Sequence, residues 1–514
     1  MNPQESNPPT RRAVAGGLAV AGLFGGGWAS APDGGPRLGP ARPFSFEALK
    51  KMARQRARSP YVPVRPRADV EALDYDAINA IHYRPQAAVW RDRPGQAVEF
   101  FHLGRYATTP VRVSVVDGGQ AREIIYDKAL FDIPPGNPAA RLPNHLGFAG
   151  FRVLNAGGGD WLAWLGASYF RAATPFNQYG LSARGIAIDT ASPTPEEFPL
   201  FTAFWLGHDG DGTLAVFALL EGPSLAGAYR FACRKGQAGL VQTVEAELTF
   251  RRSVQRLGLA PLTSMYWYGA SDRPDGADWR PQIHDSDGLA IWTGAGERIW
   301  RPLNNPPRVM SNAFRDRGPR GFGLMQRDRT FADYQDDGAF YDRRPSLWVE
   351  PLATWGEGAV ELVEIPTHRE IDDNIVAFWS PATLPAPGQT IHVAYRLHWS
   401  DEEPTAVGAA KVVATRFGVA GRPGQPPLAG ARKFVVDFAG GRLAELTRAG
   451  GVQASVALSH GSPSNLAAYP VEGAARWRLI FDAPLGKGDT LDLRAFLRLN
   501  GEALTETWIG QAFG

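Results

Sequence analysis

From Val89 onward the apolar and polar positions alternate with a period of two. Val111, Val113 and Val115 are separated by Arg112 and Ser114, Asp117-Gly118-Gly119 is a hairpin signal, and the chain returns through Arg122 to Tyr126. Similar runs follow at Phe148 to Leu154, Leu214 to Leu220, Tyr229 to Cys233, Val244 to Phe250, Val360 to Ile365 and Ile391 to Trp399. In the Val244 and Ile391 runs every second side chain is apolar, as a sheet with one buried face requires. The pattern predicts a long antiparallel sandwich rather than βαβ units. Helical spacing is confined to the start. Ser45 can cap a helix in which Phe46, Leu49 and Ala53 recur, and a second short helix is predicted over 73–80, both docked on a sheet.

The alternation breaks at Ser400-Asp401-Glu402-Glu403-Pro404 and stays polar or rich in Gly and Pro to Gly430. It resumes in Lys433 to Phe438, Val452 to Leu458, Trp477 to Phe481, Leu491 to Leu499 and Thr505 to Trp508. The expected organisation is therefore all-β: a large N-terminal β-sandwich over 44–400, a stretch at 401–430 that is linker and first part of the C-terminal domain, and a smaller immunoglobulin-like β-sandwich over 431–514. There is no repeat period, heptad array or long low-complexity tract. HExxH, GxSxG and P-loop motifs are absent, and Gly25-Gly26-Gly27 has no helix behind it to make a phosphate loop.

Composition sharpens this picture. The 58 Gly and 42 Pro among 514 residues punctuate the chain too often for long helices, and 15 Trp, 27 Phe and 14 Tyr are a heavy aromatic load. The net charge of +2 offers no electrostatic footprint for nucleic acid or an anionic membrane, so an uncharged partner is expected. Cys233, the only cysteine, can form neither an intrachain disulfide nor a CxxC site, and reads as a small buried hydrophobe.

The first 31 residues read as an export signal. Arg11-Arg12, the weakly apolar stretch Ala13 to Trp28 and the small residues Ala29-Ser30-Ala31 resemble a twin-arginine leader with its cleavage site, although the usual Phe and Lys after the arginine pair are missing and a general secretory signal stays open. No later stretch has the roughly 18 apolar residues of a membrane span.

Candidate chemistry gathers at two acidic stretches. One is Ile283-His284-Asp285-Ser286-Asp287-Gly288-Leu289, followed by Trp292, Trp300 and Arg301; the other is Glu370-Ile371-Asp372-Asp373-Asn374, directly before the apolar strand Ile375 to Trp379. Acids at strand mouths among Trp and Arg point to a polysaccharide cleft in which one carboxyl donates a proton and another accepts one. Asp373 has Asp372 beside it and Glu370 three positions back, so like charges could hold its proton and make it the acid. Asp285 is the candidate base. Competing readings stay open here: a turn whose Asp and Ser side chains bond their own backbone, a calcium loop through Asp285 and Asp287, or a triad of His284, Asp285 and Ser286. Tyr341, Arg344 and Trp348 in Tyr341 to Trp348 read either as sugar contacts or as an ordinary strand edge with ion pairs. Tryptophans in a large sandwich are mostly core, and only adjacency to the acids singles out Trp300 and Trp348.

Seven stretches, in order, carry a resemblance: Leu165 to Arg171, Tyr179 to Gly185, Ala260 to Met265, His284 to Leu289, Trp300 to Pro306, Arg344-Pro345-Ser346 and Glu361 to Pro366. Together they resemble the periplasmic glucan biosynthesis proteins OpgG and OpgD (MdoG and MdoD) over nearly the whole mature chain, the leader resembling OpgD more than OpgG. The resemblance implies a periplasmic protein whose N-terminal sandwich is galactose-mutarotase-like. It implies action on osmoregulated periplasmic glucans with a β-1,2-linked glucose backbone, similar to inverting endo-β-1,2-glucanases, some of which transglycosylate. It places the general acid on Asp373 and the general base on Asp285, acting through a relay of substrate hydroxyl and water, with Tyr341 and Arg344 lining that relay or the sugar site. Trp348, Trp300, Arg301 and Glu370 join them as candidate substrate contacts.

The expected activity is a glycoside hydrolase or transglycosylase on β-1,2-glucan, needing neither metal nor cofactor, with a functional link to a membrane glucosyltransferase. The alternative is a non-catalytic glucan-binding protein that controls the backbone as it emerges from that transferase. A polysaccharide lyase or a mutarotase would share the fold, but no His or Tyr base pair aimed at uronic acids is evident.

Overall fold

The computed structural model describes residues 35–274, 278–404 and 408–514, so the leader read at 1–31 lies outside the described residues. Among the described residues the chain is all-β, with strands from Arg42 to Phe513 and only short helices between them.

The longest helix, Phe46–Ala57, starts where the sequence places its cap: Ser45 Oγ accepts the Ala48 N–H at 3.1 Å. Glu47 lies in its first turn and Arg54 and Arg56 in its last, matching the helix dipole. Leu49 and Ala53 are buried against Ala203, Leu219 and Ala228, with Phe44, Trp205 and Phe217 packed around them. Burying Leu49 alone contributes about 2 kcal/mol. The second helix is shorter than predicted, Tyr75–Asn79, because Asp74 is its cap and accepts the Ala77 N–H at 3.0 Å.

The chain divides into two compact units. The first takes the described residues up to Thr263 with 371–373 and 378–399; the second takes 264–370, 374–377 and 400–514.

In the first unit one sheet runs through Arg42–Pro43, Gln120–Glu123, Arg112–Asp117, Leu200–His208, Leu214–Glu221, Leu225–Gly236, Gly239–Phe250 and Thr390–Ser400. Its pairs are antiparallel except Arg112–Asp117 with Leu200–His208. The expected hairpin forms with Asp117 opposite Gln120, and both turn residues have the positive φ that glycine tolerates, +53° at Gly118 and +73° at Gly119. A second sheet runs through Leu257–Ser264, Ser182–Arg184, Tyr169–Ala172, Asp160–Leu165, Phe148–Leu154 and Val98–His102. The two pack as a sandwich: Phe170 and Trp164 of the second sheet lie 5.1 and 5.6 Å, between ring centroids, from Phe231 of the first. Cys233 is buried in this unit, and burial pushes its thiol up to about 12.

In the second unit Ser346–Pro351, Gly321–Met325, Gly288–Trp292, Arg298–Pro302, Thr507–Phe513, Thr490–Leu499 and Gln453–Leu458 lie side by side. A four-stranded sheet of Lys411–Val419, Ala431–Ala439, Arg476–Pro484 and Ser464–Pro470 shares one core with them, built on Phe434, Phe438, Trp477, Phe481, Leu493 and Trp508.

Candidate functional site

In the first unit the strand Tyr169–Ala172 carries Phe170 and Ala172 into the core, so period two turns Tyr169 and Arg171 to the opposite face. The neighbouring strand pairs Arg184 with Tyr169, which brings a second guanidinium to that face. Asp373 belongs here. Its Oδ2 lies 3.4 Å from Arg171 Nη2, and Arg171 Nε donates to Ser182 Oγ at 2.5 Å. Arg184 is buried, bonds Glu196 Oε1 at 2.6 Å and stands 5.2 and 5.1 Å from the rings of Tyr169 and Phe198. A cavity of about 370 Å³ opens at this face, walled by Asp373, Arg105, Tyr106, Tyr169, Phe198 and Thr202. Besides the neighbouring Asp372, Asp373 thus has a guanidinium beside it, and its side chain keeps 17% exposure.

Asp285 lies in the second unit and is fully buried. Its N–H donates to Met265 O at 2.9 Å, extending the pairing of Ile283–His284 with Tyr266–Tyr268. Arg344 Nε stands 3.8 Å from Asp285 Oδ1, and the guanidinium carbon lies 5.0 Å from the ring of Tyr341. Tyr341 Oη donates to Glu370 Oε2 at 3.2 Å, and Arg280 Nη1 reaches the same oxygen at 2.8 Å and Asp336 Oδ2 at 2.7 Å. Asp285, Arg344, Tyr341 and Glu370 therefore form one connected polar group.

The rest of the His284 run has partners that sequence spacing does not reveal. His284 is buried between Gln326 Oε1 at 2.9 Å and Gln282 Oε1 at 3.1 Å and stacks on Tyr266. Burial pushes its imidazole down to about 4. Ser286 Oγ bonds Ser264 Oγ at 2.9 Å, so His284 and Ser286 look to different partners and no triad forms. Asp287 Oδ2 accepts the N–H groups of Arg327 and Asp328 at 2.8 and 2.9 Å, which replaces the local turn with a tertiary one. Burial, and then the charge of Asp328, push Asp287 up to about 7. Among the described residues no three His, Cys, Asp or Glu side chains gather to hold a metal ion.

Three residues expected at a sugar face sit in the interior instead. Trp300 and Trp348 are 5% and 1% exposed and belong to the core of the second unit. Each indole lies across a glycine of the adjacent strand: a Cβ on Gly288 would meet Trp300 at 2.2 Å, and one on Gly321 would meet Trp348 at 2.4 Å. Arg327 covers the Trp300 ring at 3.6 Å. Arg301 is buried in an ion pair, its Nη2 2.9 Å from Glu364 Oε2. The glycines that open these strands are the available signal, since a strand glycine marks a close approach. Arg171 beside Asp373, Arg184 on Glu196 and Arg280 on Glu370 and Asp336 do not stand out along the sequence; for Arg171 and Arg184 the signal is a charge alternating with buried Phe170 and Ala183.

The fold and these two settings define an all-β protein whose conspicuous polar features are carboxylates held by arginine among aromatic rings. The family described as "Periplasmic glucan biosynthesis protein, MdoG" matches residues 44–512, and the chain belongs to it. A "Glucans biosynthesis protein D 2" from Ralstonia nicotianae is 49% identical over 494 residues, covering 92% of each chain. Proteins named "Glucans biosynthesis protein D" from Stenotrophomonas maltophilia and Xanthomonas campestris are 49% and 47% identical, covering 92% of this chain and 91% of theirs. A solved galactose mutarotase related enzyme from Lactobacillus acidophilus aligns with 49% of this chain and 91% of its own at 9% identity, with a TM-score of 0.23, too slight a likeness to carry an argument. The family places the chain in periplasmic glucan biosynthesis. No helix among the described residues is long and apolar enough to cross a membrane.

Proposed function

We propose that the protein is an inverting endo-β-1,2-glucanase or transglycosylase that shapes the backbone of periplasmic glucan. The observation that carries this reading is Asp373, a part-exposed carboxyl on the wall of a 370 Å³ cavity whose lining joins aromatic rings, hydroxyls and one arginine to small aliphatic side chains. Such a cavity suits an uncharged polyhydroxylated ligand, with rings against the apolar sugar faces and polar groups for the hydroxyls.

Asp373 is the general acid and gives its proton to the leaving glycosidic oxygen. Asp285 is the general base and takes up the proton released when water, or a sugar hydroxyl in transglycosylation, attacks the anomeric carbon. Arg344 and Tyr341 orient the base side, and Glu370, tied to Tyr341 and Arg280, supports substrate hydroxyls. Export by the Arg11-Arg12 leader and a functional link to the membrane glucosyltransferase that makes the backbone belong to the same reading.

The test is chromatography of linear β-1,2-glucan after incubation with mature protein and with Asp373→Asn and Asp285→Asn. Shorter or cyclised products from the wild type alone, with the reducing end released first as the α-anomer, support the proposal. Full activity in either variant removes that residue from the mechanism, and saturable glucan binding with unchanged chain length leaves the non-catalytic glucan-binding alternative.

A further inference from the structure

Fourteen of the fifteen tryptophans fall within the described residues, and among these only Trp279 is exposed, at 67%. Other large indoles, including those of Trp164, Trp379 and Trp399, are below 2%. The remaining indoles are buried or half-buried. An indole so far in water forgoes most of the largest apolar burial any side chain offers, so it either has a use or is loose. It is not loose, because the backbone on both sides is tied down. Asp278 accepts the Arg280 N–H at 3.1 Å and is forked by Arg280 Nε and Nη2 at 2.9 and 3.1 Å, while Arg273 Nη2 donates to Asp278 O at 2.6 Å. On the other side the buried Tyr268 donates its hydroxyl to Arg280 O at 3.1 Å.

Arg280 also ties the indole to the polar group around Asp285. Its guanidinium carbon lies 6.0 Å from the Trp279 ring centroid, and its Nη1 holds Asp336 at 2.7 Å and Glu370 at 2.8 Å. The Glu370 side chain is 38% exposed, and its carboxylate is held by Arg280 and Tyr341. An outward indole and a fixed, part-exposed carboxylate, spaced by one buried arginine, are the two elements from which a pyranose site is made: an apolar plate for the ring's C–H face and an acceptor for its hydroxyls.

We infer that Trp279 is a stacking platform for one glucose unit of the glucan, with Glu370 accepting hydroxyl hydrogen bonds from that unit or its neighbour. The inference rests on the glucan reading above and adds to it a binding residue outside the reacting pair.

The experiment is calorimetric titration of linear β-1,2-glucan into the full mature chain, its Trp279→Ala and Trp279→Phe variants, and Phe331→Ala as a control at another exposed aromatic, 52% exposed. Because Trp279 is largely exposed, the variants are expected to keep the wild-type melting temperature, which is measured alongside. The platform predicts about tenfold weaker binding for Trp279→Ala, the effect of losing one stacked ring, partial retention in Trp279→Phe and no change in the control. In turnover the loss appears in KM with kcat nearly unchanged. Equal binding by wild type and Trp279→Ala overturns the platform and leaves the glucan reading standing. A wild type that binds no glucan overturns the reading itself and the platform with it. Equal loss in Trp279→Ala and Phe331→Ala also overturns it, since the effect is then not specific to this indole.

Discussion

Replacing Asp287 by asparagine should make the protein more stable, and increasingly so as pH rises. Asp287 Oδ2 accepts two backbone N–H groups at 2.8 and 2.9 Å, and its Oδ1 is buried. Burial and the neighbouring Asp328 raise its carboxyl to about 7, from 3.8, against the opposing pull of Arg327 and the two amides. A carboxyl whose folded value lies above its unfolded one is bound to its proton more tightly in the native state. Its stabilising contribution is therefore complete below about pH 4 and is lost as pH climbs through about 7. A carboxyl raised to about 7 forgoes about 4 kcal/mol of stability at pH 8 if Asp287 titrates alone. Asp328 is raised by the same burial and shares the strain, so Asp287→Asn is expected to recover about 2 to 4 kcal/mol there. Asparagine copies the protonated acid: its carbonyl oxygen keeps both amide bonds and no charge is buried. In a unit of this size that gain is about 5 to 10 °C in melting temperature at pH 8. Melting curves of both proteins from pH 4.5 to pH 8 should start nearly level and diverge upward for the variant. Curves that stay parallel across this range would refute the reasoning, because Asp287 would then be ionised in both states throughout.

Two further perturbations test how the buried groups of the second unit are held. Arg301→Ala should destabilise by about 3 to 5 kcal/mol in urea unfolding, since it strands Glu364 at 0% exposure with only Asn304 N–H and Asn312 for company, and adding Glu364→Gln should recover most of the loss. Gly288→Ala should cost about 1 to 3 kcal/mol, because the new methyl would lie 2.2 Å from the Trp300 ring, and an unchanged melting temperature would mean that the indole does not lie across that strand.

The acidic stretches stood out because acids, Trp and Gly displaced apolar residues at strand mouths, and both Asp285 and Asp373 lie among arginine and aromatic side chains. Their partners were not legible. Arg171 is 202 residues from Asp373, and no local rule connects them. Adjacency to acids in the sequence singles out Trp300 and Trp348, yet adjacency along a strand says nothing about which layer covers the ring. The glycines opposite them decide that, and they lie on other strands.

By itself the sequence determined the all-β class, the Gly118-Gly119 hairpin, the Ser45-capped helix and membership of the glucan biosynthesis family, because periodicity, turn chemistry and capping act over a few residues and ordered motifs survive in one dimension. Only tertiary structure decided that Asp373 meets Arg171, that Asp287 and Asp328 share a buried corner and that Trp279 is the most exposed of the described tryptophans. Period two assigns a side chain to one of two faces of a sheet. What packs on that face comes from strands tens to hundreds of residues away, and burial, charge and exposure follow from that packing.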